Sequence, residues 1–423
     1  MRSSDGAAVD HAEGIARLIA VNLVVWTGSG ARFALGSWLA LRLTEDASAP
    51  VWLLIAELAP TLALAPFFGR LVDHRDRRRL AVTADSIRAL TVGVVAVTAA
   101  TASLHIATLV GMSAVMGACD QISTPARSAL LQQRVAREAL LKANTRVGIS
   151  TQVGTMTGVA AGGTAAGILP PSVAFALIAG CHAVAAVLLI GQAGSRAVAA
   201  TTKPKPVAVP VKEADGPGTW LALRYLRAAG GVRSPFLVVV VLAAFLRTYN
   251  SVLPAFVYDT MDFGPAQFGA LDAAFAVGGL VGGAALARAR VASFLQKRAV
   301  LGLFALALCT TAFAFSPGFV AALAAYCGIG ITFQTLTLYM TRSQTLVPLE
   351  RYGRVFSGFT LIGTVLVLAL YGLVSALLRL AGPVPVYLLL AAALALLATG
   401  QATARPPRDS LQSSGRAPKD IEV

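Results

Sequence analysis

The sequence predicts an all-α integral membrane protein, with twelve transmembrane helices arranged as two pseudo-symmetric six-helix bundles. Of its 423 residues, 56% are hydrophobic and only 13% are charged, whereas about 25% of a soluble chain is charged. Apolar stretches of about 20 residues, the length that crosses a bilayer as a helix, recur along the chain. The second half of the sequence also repeats features of the first at a nearly constant offset.

Twelve apolar stretches are long enough to cross the bilayer. In the first half they cover about 16–42, 50–70, 80–102, 104–125, 144–168 and 172–192. In the second half they cover about 236–258, 265–287, 298–316, 318–340, 354–379 and 384–400. They divide the chain into an N-terminal half at 1–192, a cytoplasmic linker at 193–235, a C-terminal half at 236–403 and a disordered cytoplasmic tail at 404–423.

The linker starts with a proline-rich segment that predicts a semi-rigid spacer. It then places Trp220 and Tyr225 beside Arg224 and Arg227, which predicts an amphipathic helix on the inner membrane surface. A linker between six spans and six spans is the expected joint between two half-units.

The basic residues predict the orientation, because loops rich in Lys and Arg stay in the cytoplasm. With both termini cytoplasmic, most of the 35 basic residues fall in cytoplasmic loops or tails, and only Arg42 and Arg379 lie on the opposite face. Membrane topology therefore explains the net charge of +15 without a nucleic-acid partner. We expect a monomeric, multi-pass protein of the inner or plasma membrane.

Cysteine and histidine give no indication of a metal or redox centre, since four of each are scattered without ligand spacing. There is no phosphate-binding loop for ATP, and no catalytic set of side chains falls at a common depth. We therefore expect no cofactor, no metal and no enzymatic activity.

A shift of about 215 residues overlays the two halves. Residues 127–128, after the fourth span, match residues 342–343 after the tenth. Two intramembrane charges obey the same shift, because Arg32 maps onto Arg247 and Glu57 onto Asp272. Such parallel repeats place substrate sites at the interface between the repeats.

These charges predict two ion pairs, because an unpaired charge deep in a bilayer costs at least about 2.5–3.5 kcal/mol. At 1.5 Å per residue, Arg32 and Glu57 lie within about 5 Å of the same depth, and Arg247 and Asp272 nearly so. We expect one pair between helices one and two and its counterpart between helices seven and eight. Each is either a structural clip or part of substrate and proton handling.

Asp120 is a further intramembrane acid, and Thr335 occupies its repeat-related position. An acid in a partly desolvated cavity can exchange protons near neutral pH. Asp120 is therefore a candidate for proton coupling, with Glu57 and Asp272 as alternatives and helix capping or packing as the other interpretation. Candidate side chains for lining an apolar substrate cavity, which ordinary helix packing would also explain, are Phe33, Met112, Met116, Phe245, Tyr249 and Phe275.

The loop after the second span carries Gly69, Asp73, Arg77 and Arg78 at the spacing of a cytoplasmic signature, and it resembles the major facilitator superfamily. His74 replaces a basic residue of that signature, and an acid replaces its second glycine. In the family, the acid lies against the start of helix eleven, where the helix dipole favours negative charge. The resemblance implies that these residues form a gate that holds the inner side closed.

The fifth span carries Gly154, Gly158, Gly162 and Gly163, which resembles the antiporter signature of the same family with Val159 in place of a proline. Small residues at this spacing also let two membrane helices approach closely. The antiporter interpretation and close helix packing are both consistent with the motif.

In the third span, Asp85 and Arg88 share one helix face and are close enough to pair. A local pair that neutralises charge at the inner membrane edge is one interpretation. Together with residues 125–127 and 141–144, the pair resembles the gate region of the subgroup that contains enterobactin exporters and macrolide efflux proteins. The resemblance extends over about 16–400.

The resemblance implies a secondary transporter that exports a small amphipathic molecule, such as a drug, natural product or siderophore-like compound. The resemblance further implies that it works by alternating access and exchanges its substrate for protons, as the antiporters of the family do. A proton-coupled importer of the same fold and a non-transporting membrane sensor or scaffold are the alternatives. The expected partners are the substrate, protons and the lipid bilayer.

Overall fold

The structure is a computed structural model that describes residues 2–101, 103–135, 140–190, 218–227, 230–286, 288, 298–347 and 352–403. Within these residues every regular element is helical. The six helices of the first half are α1 (Arg2–Thr44), α2 (Ala49–His74), α3 (Arg77–Ala100), α4 (Ile106–Arg134), α5 (Leu140–Ile168) and α6 (Pro171–Ile190). They match the six predicted spans in order.

A short helix, α7 (Gly218–Arg227), lies in the predicted linker before the second half. It is followed by α8 (Gly230–Ala255), which continues into a π-helical turn (Phe256–Thr260), and by α9 (Pro265–Leu286), α10 (Ala299–Ala314), α11 (Phe319–Phe333), α12 (Thr335–Thr345), α13 (Tyr352–Ala381) and α14 (Pro383–Thr403). Only Gln334 separates α11 from α12, and the two form one apolar span, Phe319–Ser343.

In the part of the chain that the structure describes, nine helical segments are long and apolar enough to cross a membrane. Two shorter apolar segments, Ala49–Pro60 and Ala299–Ala314, occupy the predicted second and ninth spans. The predicted fifth span is α5, a helix of 29 residues rich in glycine and threonine. Each of the twelve predicted spans therefore has a helical counterpart.

The two halves share a detail of backbone geometry after their first spans. Glu45, which follows α1, has φ +53°, and Asp262, which follows the π-helical turn, has φ +54°. Residues other than glycine rarely adopt this left-handed conformation. The two acids are 217 positions apart, so the same turn recurs at close to the sequence offset of the repeat.

The chain divides into two compact units. Unit 1 contains Met1–Pro206 and Phe263–Ala273, and unit 2 contains Val207–Asp262 and Ala274–Val423. The predicted boundaries of halves, linker and tail stay predictions, and residues 193–217 and 404–423 lie outside the described residues.

In unit 1, α1 packs between α5 and α6, and two hydrophobic clusters fill the bundle. In unit 2, the buried face of α7 contributes Ala222 and Tyr225 to a cluster with Phe236 of α8 and Phe359 of α13. The Trp220 side chain of α7 is 52% exposed, and the Arg224 guanidinium lies 5.1 Å from its ring centroid. The short helix therefore has one packed face and one exposed face.

Candidate functional site

Unit 1 contains two neighbouring groups of ion pairs, one between α1 and α2 and one between α3 and α4. Together they are called the chain of ion pairs below. Its first link is the pair predicted from depth, in which Arg32 Nη2 donates to Glu57 Oε2 at 2.7 Å. The Arg32 side chain is only 6% exposed, whereas that of Glu57 is 30% exposed. The carboxylate is therefore accessible while its arginine is sealed inside the bundle.

Arg88 is the centre of the second part of this chain. Its Nη1 donates to Asp85 Oδ1 at 2.7 Å, and its Nη2 donates to Ser123 Oγ at 2.8 Å and to Asp120 Oδ1. Both Arg88 and Asp85 are completely buried, whereas the Asp120 side chain is 28% exposed. As in the first pair, an accessible acid is held by a buried arginine.

Arg127 completes the chain from α4. Its Nη1 donates to the two oxygens of Asp85 at 3.4 and 3.3 Å, longer contacts than the 2.7 Å bond from Arg88. Asp85 and Asp120 together balance the charges of Arg88 and Arg127. The cluster is therefore neutral without any ligand.

A close helix contact brings the two parts of the chain near each other. The backbone of Gly117 on α4 lies so close to the Glu57 carbonyl on α2 that a Cβ atom would overlap it. Asp120 follows three residues later, about 4.5 Å further along the same face of α4. The two accessible acids, Glu57 and Asp120, therefore share the interface between α2 and α4.

Sequence reasoning found Asp85, Arg88 and Asp120 but not their connection. The interpretation of Asp85 and Arg88 as a local pair at the membrane edge is too narrow, because Arg88 also binds two side chains of α4. The missed partners are Ser123 and Arg127. They follow Asp120 by three and seven residues, a spacing that places all three side chains on one face of α4. This spacing is visible in the sequence and could have identified the two partners.

The repeat-related residues, Arg247 and Asp272, belong to different compact units, Arg247 to unit 2 and Asp272 to unit 1. Neither forms an ion pair with a described residue of its own unit. Arg247 is an exposed position of α8, and its backbone carbonyl accepts a hydrogen bond from Tyr371 Oη at 3.4 Å. The second predicted ion pair stays a prediction.

The gate residues are only partly visible. The backbone of Gly69 and Asp73 belongs to α2, but the surroundings of these two residues are outside what the structure describes. Arg78 Nε donates to the carbonyl of Leu189 at 2.9 Å, and its Nη2 donates to that of Ile190. A cation is favourable at a helix C-terminus, so Arg78 caps α6 in this structure. The gate function of Gly69, Asp73, Arg77 and Arg78 stays a prediction.

The glycines of α5 lie against the backbone of α1. A Cβ atom on Gly154 would lie 2.6 Å from the Leu23 carbonyl oxygen, and one on Gly158 would overlap the Thr27 carbonyl oxygen. Gly162 repeats this contact at Ala31, four residues further along each helix. Gly163 faces Pro265, which is also part of unit 1. The motif therefore forms a close helix interface, and its antiporter role stays a prediction.

Most of the candidate cavity-lining side chains are packed in this conformation. Met112 and Met116 belong to a hydrophobic cluster of unit 1. Phe245 is 7% exposed, and Tyr249 is fully buried with its hydroxyl 2.7 Å from Thr310 Oγ1. The two others have ring neighbours within their own units: Phe33 lies 6.3 Å from Phe268, and Phe275 lies 5.7 Å from Tyr326. A cavity-lining role for the six stays a prediction.

Helical spans that enclose networks of paired charges are typical of secondary transporters, in which intramembrane charges mark pathways for substrates and protons. The family comparison agrees, because residues 18–372 match the model of the Major Facilitator Superfamily. The chain belongs to this superfamily and is a membrane transporter. Comparison with curated protein sequences gives no significant match.

Solved structures of transporters share the fold. A bacterial homologue of the iron transporter ferroportin, in an inward-facing state, is 17% identical with a TM-score of 0.68, and the match covers 92% of this chain and 99% of that chain. The nucleoside transporter NupG is 13% identical with a TM-score of 0.70, covering 92% and 98%. The POT family transporter PepTSo is 14% identical with a TM-score of 0.67, covering 92% and 97%.

Exchanging the charges of Arg32 and Glu57 tests whether this ion pair only stabilises the structure or also takes part in transport. We expect Arg32→Glu and Glu57→Arg each to destabilise the protein by about 3 kcal/mol, because each leaves like charges together inside the bundle. The double exchange is expected to restore a monodisperse, heat-stable protein in size-exclusion chromatography. Transport is expected to stay lost, because the accessible group is then a cation; full recovery of transport would identify the pair as a clip.

Proposed function

We propose that this transporter exports a small amphipathic molecule in exchange for protons, by alternating access. The observation that carries the proposal is the repeated arrangement of an accessible acid bound to a sealed arginine, at Glu57 with Arg32 and at Asp120 with Arg88. A proton can reach each carboxylate, while its counter-charge stays fixed inside the bundle. We further propose that both termini are cytoplasmic and that the monomer acts in the inner or plasma membrane.

Protonation of either acid changes the bonds between helices. A charge-assisted hydrogen bond is roughly twice as strong as a neutral one. The deprotonated Asp120 therefore holds α4 firmly to α3 through Arg88, and the deprotonated Glu57 holds α2 to α1 through Arg32. Protonation of Asp120 or Glu57 weakens its contact, and the positive charge of the buried arginine is then no longer balanced by that carboxylate. This favours a rearrangement of the helices.

The export direction is supported by the glycine-lined interface of α5, which resembles the antiporter signature. Two of the proteins with the same fold are described as a homologue of an iron transporter and as a nucleoside transporter, respectively. The shared fold therefore does not select the cargo, and a panel of compounds is needed to find it.

Everted membrane vesicles from cells that express the protein test this function. Respiration acidifies the vesicle lumen, and the fluorescence of 9-amino-6-chloro-2-methoxyacridine reports the proton gradient. On addition of antibiotics, dyes and siderophores one at a time, we expect at least one compound to release protons. This response should be lost with Asp120→Asn and Glu57→Gln, while the exposed-loop variant Asp262→Asn, which changes an acid outside the ion pairs, should retain it.

Two results would contradict the proposal. If intact cells that express the protein accumulate the active compound, and an uncoupler prevents this, the protein is an importer. The second result is that folded protein is present but no compound of the panel releases protons or changes in its accumulation in cells. A sensor or scaffold function would then be favoured over transport of these compounds.

A further inference from the structure

A cavity of about 120 Å³ opens between α1, α4 and α5, entirely within unit 1. Leucine and valine side chains form part of its wall, and Trp26 supplies an aromatic surface. The polar side chains of its lining are Asn22, Thr124, Arg127, Ser128, Asn144 and Thr151. Apolar walls with a few placed polar groups are typical of sites for small molecules.

Among the described residues of this lining, Arg127 is the one charged side chain and none is an acid. It is 7% exposed, so its charge is largely removed from water. Its hydrogen bonds to described residues all use Nη1 and all go to Asp85. The planar guanidinium therefore has Nη2 and Nε available for a further acceptor, and its fork geometry matches an oxyanion.

The rest of the lining is held in place by hydrogen bonds between helices. Asn22 Nδ2 of α1 lies 2.7 Å from Thr151 Oγ1, 3.0 Å from Ser150 Oγ and 3.2 Å from the carbonyl oxygen of Val147, all on α5. These contacts fix the part of the wall that α1 and α5 contribute. The hydroxyls of Thr124 and Ser128 add donors on the same helix as the guanidinium.

The size of the cavity limits what it can hold. One water molecule needs at least about 10–15 Å³ of cavity volume, so 120 Å³ holds a group of several heavy atoms. A carboxylate with its first carbon atoms, or a comparable oxyanion, fits this volume. A larger apolar part of the same molecule would extend out of the cavity.

We propose that this cavity binds the anionic group of the transported molecule through Arg127, so that the cargo is an amphipathic anion. The inference rests on the proposed transport function and narrows its substrate class. It also connects cargo binding to the ion pairs. An anion at Arg127 competes with Asp85, whose contacts with Arg127 at 3.3 and 3.4 Å are longer than the 2.7 Å bond that Asp85 accepts from Arg88.

Equilibrium binding to the full-length protein tests the proposal without requiring transport. The purified protein is placed in phosphatidylcholine nanodiscs, and the probe is radiolabelled 1-naphthylacetate. Its matched competitors share the ring but differ in charge: 1-naphthylacetamide is neutral and 1-naphthylmethylamine is cationic. We expect the anion to bind at least about tenfold more tightly than either competitor, because it alone forms charge-assisted hydrogen bonds with the guanidinium.

Three variants locate the site. Arg127→Gln should weaken binding of naphthylacetate at least about tenfold. Ser128→Leu fills the cavity from an exposed position without touching the ion pairs, so it should also remove binding even if Arg127→Gln folds poorly. Arg146→Gln removes an exposed cation of α5 that lies outside the lining, and it should bind like the parent protein.

The proposal is overturned if the amine binds as tightly as the anion, or if Arg127→Gln and Ser128→Leu bind like Arg146→Gln. A lipid phosphate could supply the same chemistry, so the measurement is repeated with phosphatidylglycerol in the nanodiscs. Loss of naphthylacetate binding there would assign the cavity to lipid and also overturn the proposal. If naphthylacetate binds but no compound is transported in exchange for protons, only the proposed function is contradicted. If compounds are transported but naphthylacetate does not bind, only this inference is contradicted.

Discussion

Replacing Arg88 by methionine is expected to lower the stability of the protein more than any other single change of a charged residue. Arg88 compensates Asp85 and Asp120 at once, and it also donates to Ser123. Removing one member of a buried ionic network costs about 3–5 kcal/mol, because the remaining charges stay buried without compensation. After the substitution, Arg127 is the one cation among the described residues that still contacts Asp85, and the ion pair between Asp120 and Arg88 is lost.

The midpoint of thermal unfolding, followed by size-exclusion chromatography of a fluorescent fusion, measures this effect. Arg79→Met is the matched control, because Arg79 is an exposed side chain at the start of the same helix. The double variant Arg88→Met/Asp120→Asn removes one charge of each sign and should recover part of the lost stability. Equal unfolding midpoints for Arg88→Met and Arg79→Met would show that the network does not stabilise the fold.

A single added methyl group at Gly158 is expected to separate α1 from α5. The Cβ of alanine would overlap the Thr27 carbonyl oxygen, and neither helix backbone can move at that point without shifting its neighbours. Overfilling a packed interface costs about 1–3 kcal/mol, and we expect the upper end because the obstacle is backbone. Neighbouring contacts at Gly154 and Gly162 would be disturbed as well, so close packing along the interface is lost.

Gly148→Ala is the control for this substitution. Gly148 is on the same helix, and nothing lies within 4 Å of the position that its Cβ would take. Alanine is favoured over glycine inside a helix by up to about 1 kcal/mol. We therefore expect Gly148→Ala to be neutral or slightly stabilising in the thermal unfolding assay, and Gly158→Ala to be destabilising. Similar behaviour of the two variants would contradict the close interface.

The transmembrane helices were the most predictable part of this protein. A backbone in a bilayer must satisfy its own hydrogen bonds, so an apolar stretch of sufficient length forms a helix whatever its neighbours are. The weakest apolar stretch, α5, illustrates the limit of this rule. Its glycines lower the apolar character that a sequence scan measures, yet they are the residues that place its backbone against Thr27 of α1.

The candidate site was predictable in its members but not in its connections. Charges inside the membrane are conspicuous because they are expensive there, and this identified Arg32, Glu57 and Asp120. The repeat then predicted equal pairs in both halves. In the structure, the first pair is formed. The second would join residues of different compact units and stays a prediction.

The sequence by itself determined that the chain crosses a membrane repeatedly, in two related sets of six helices, and which charged residues lie within the spans. Composition and length suffice for this, because the bilayer acts on each segment separately. The tertiary structure decided which charges meet: Arg88 joins α3 to two acids and a serine, and Arg127 lies both beside Asp85 and in the wall of a cavity. Those contacts depend on how helices distant in the sequence pack, which no local pattern specifies.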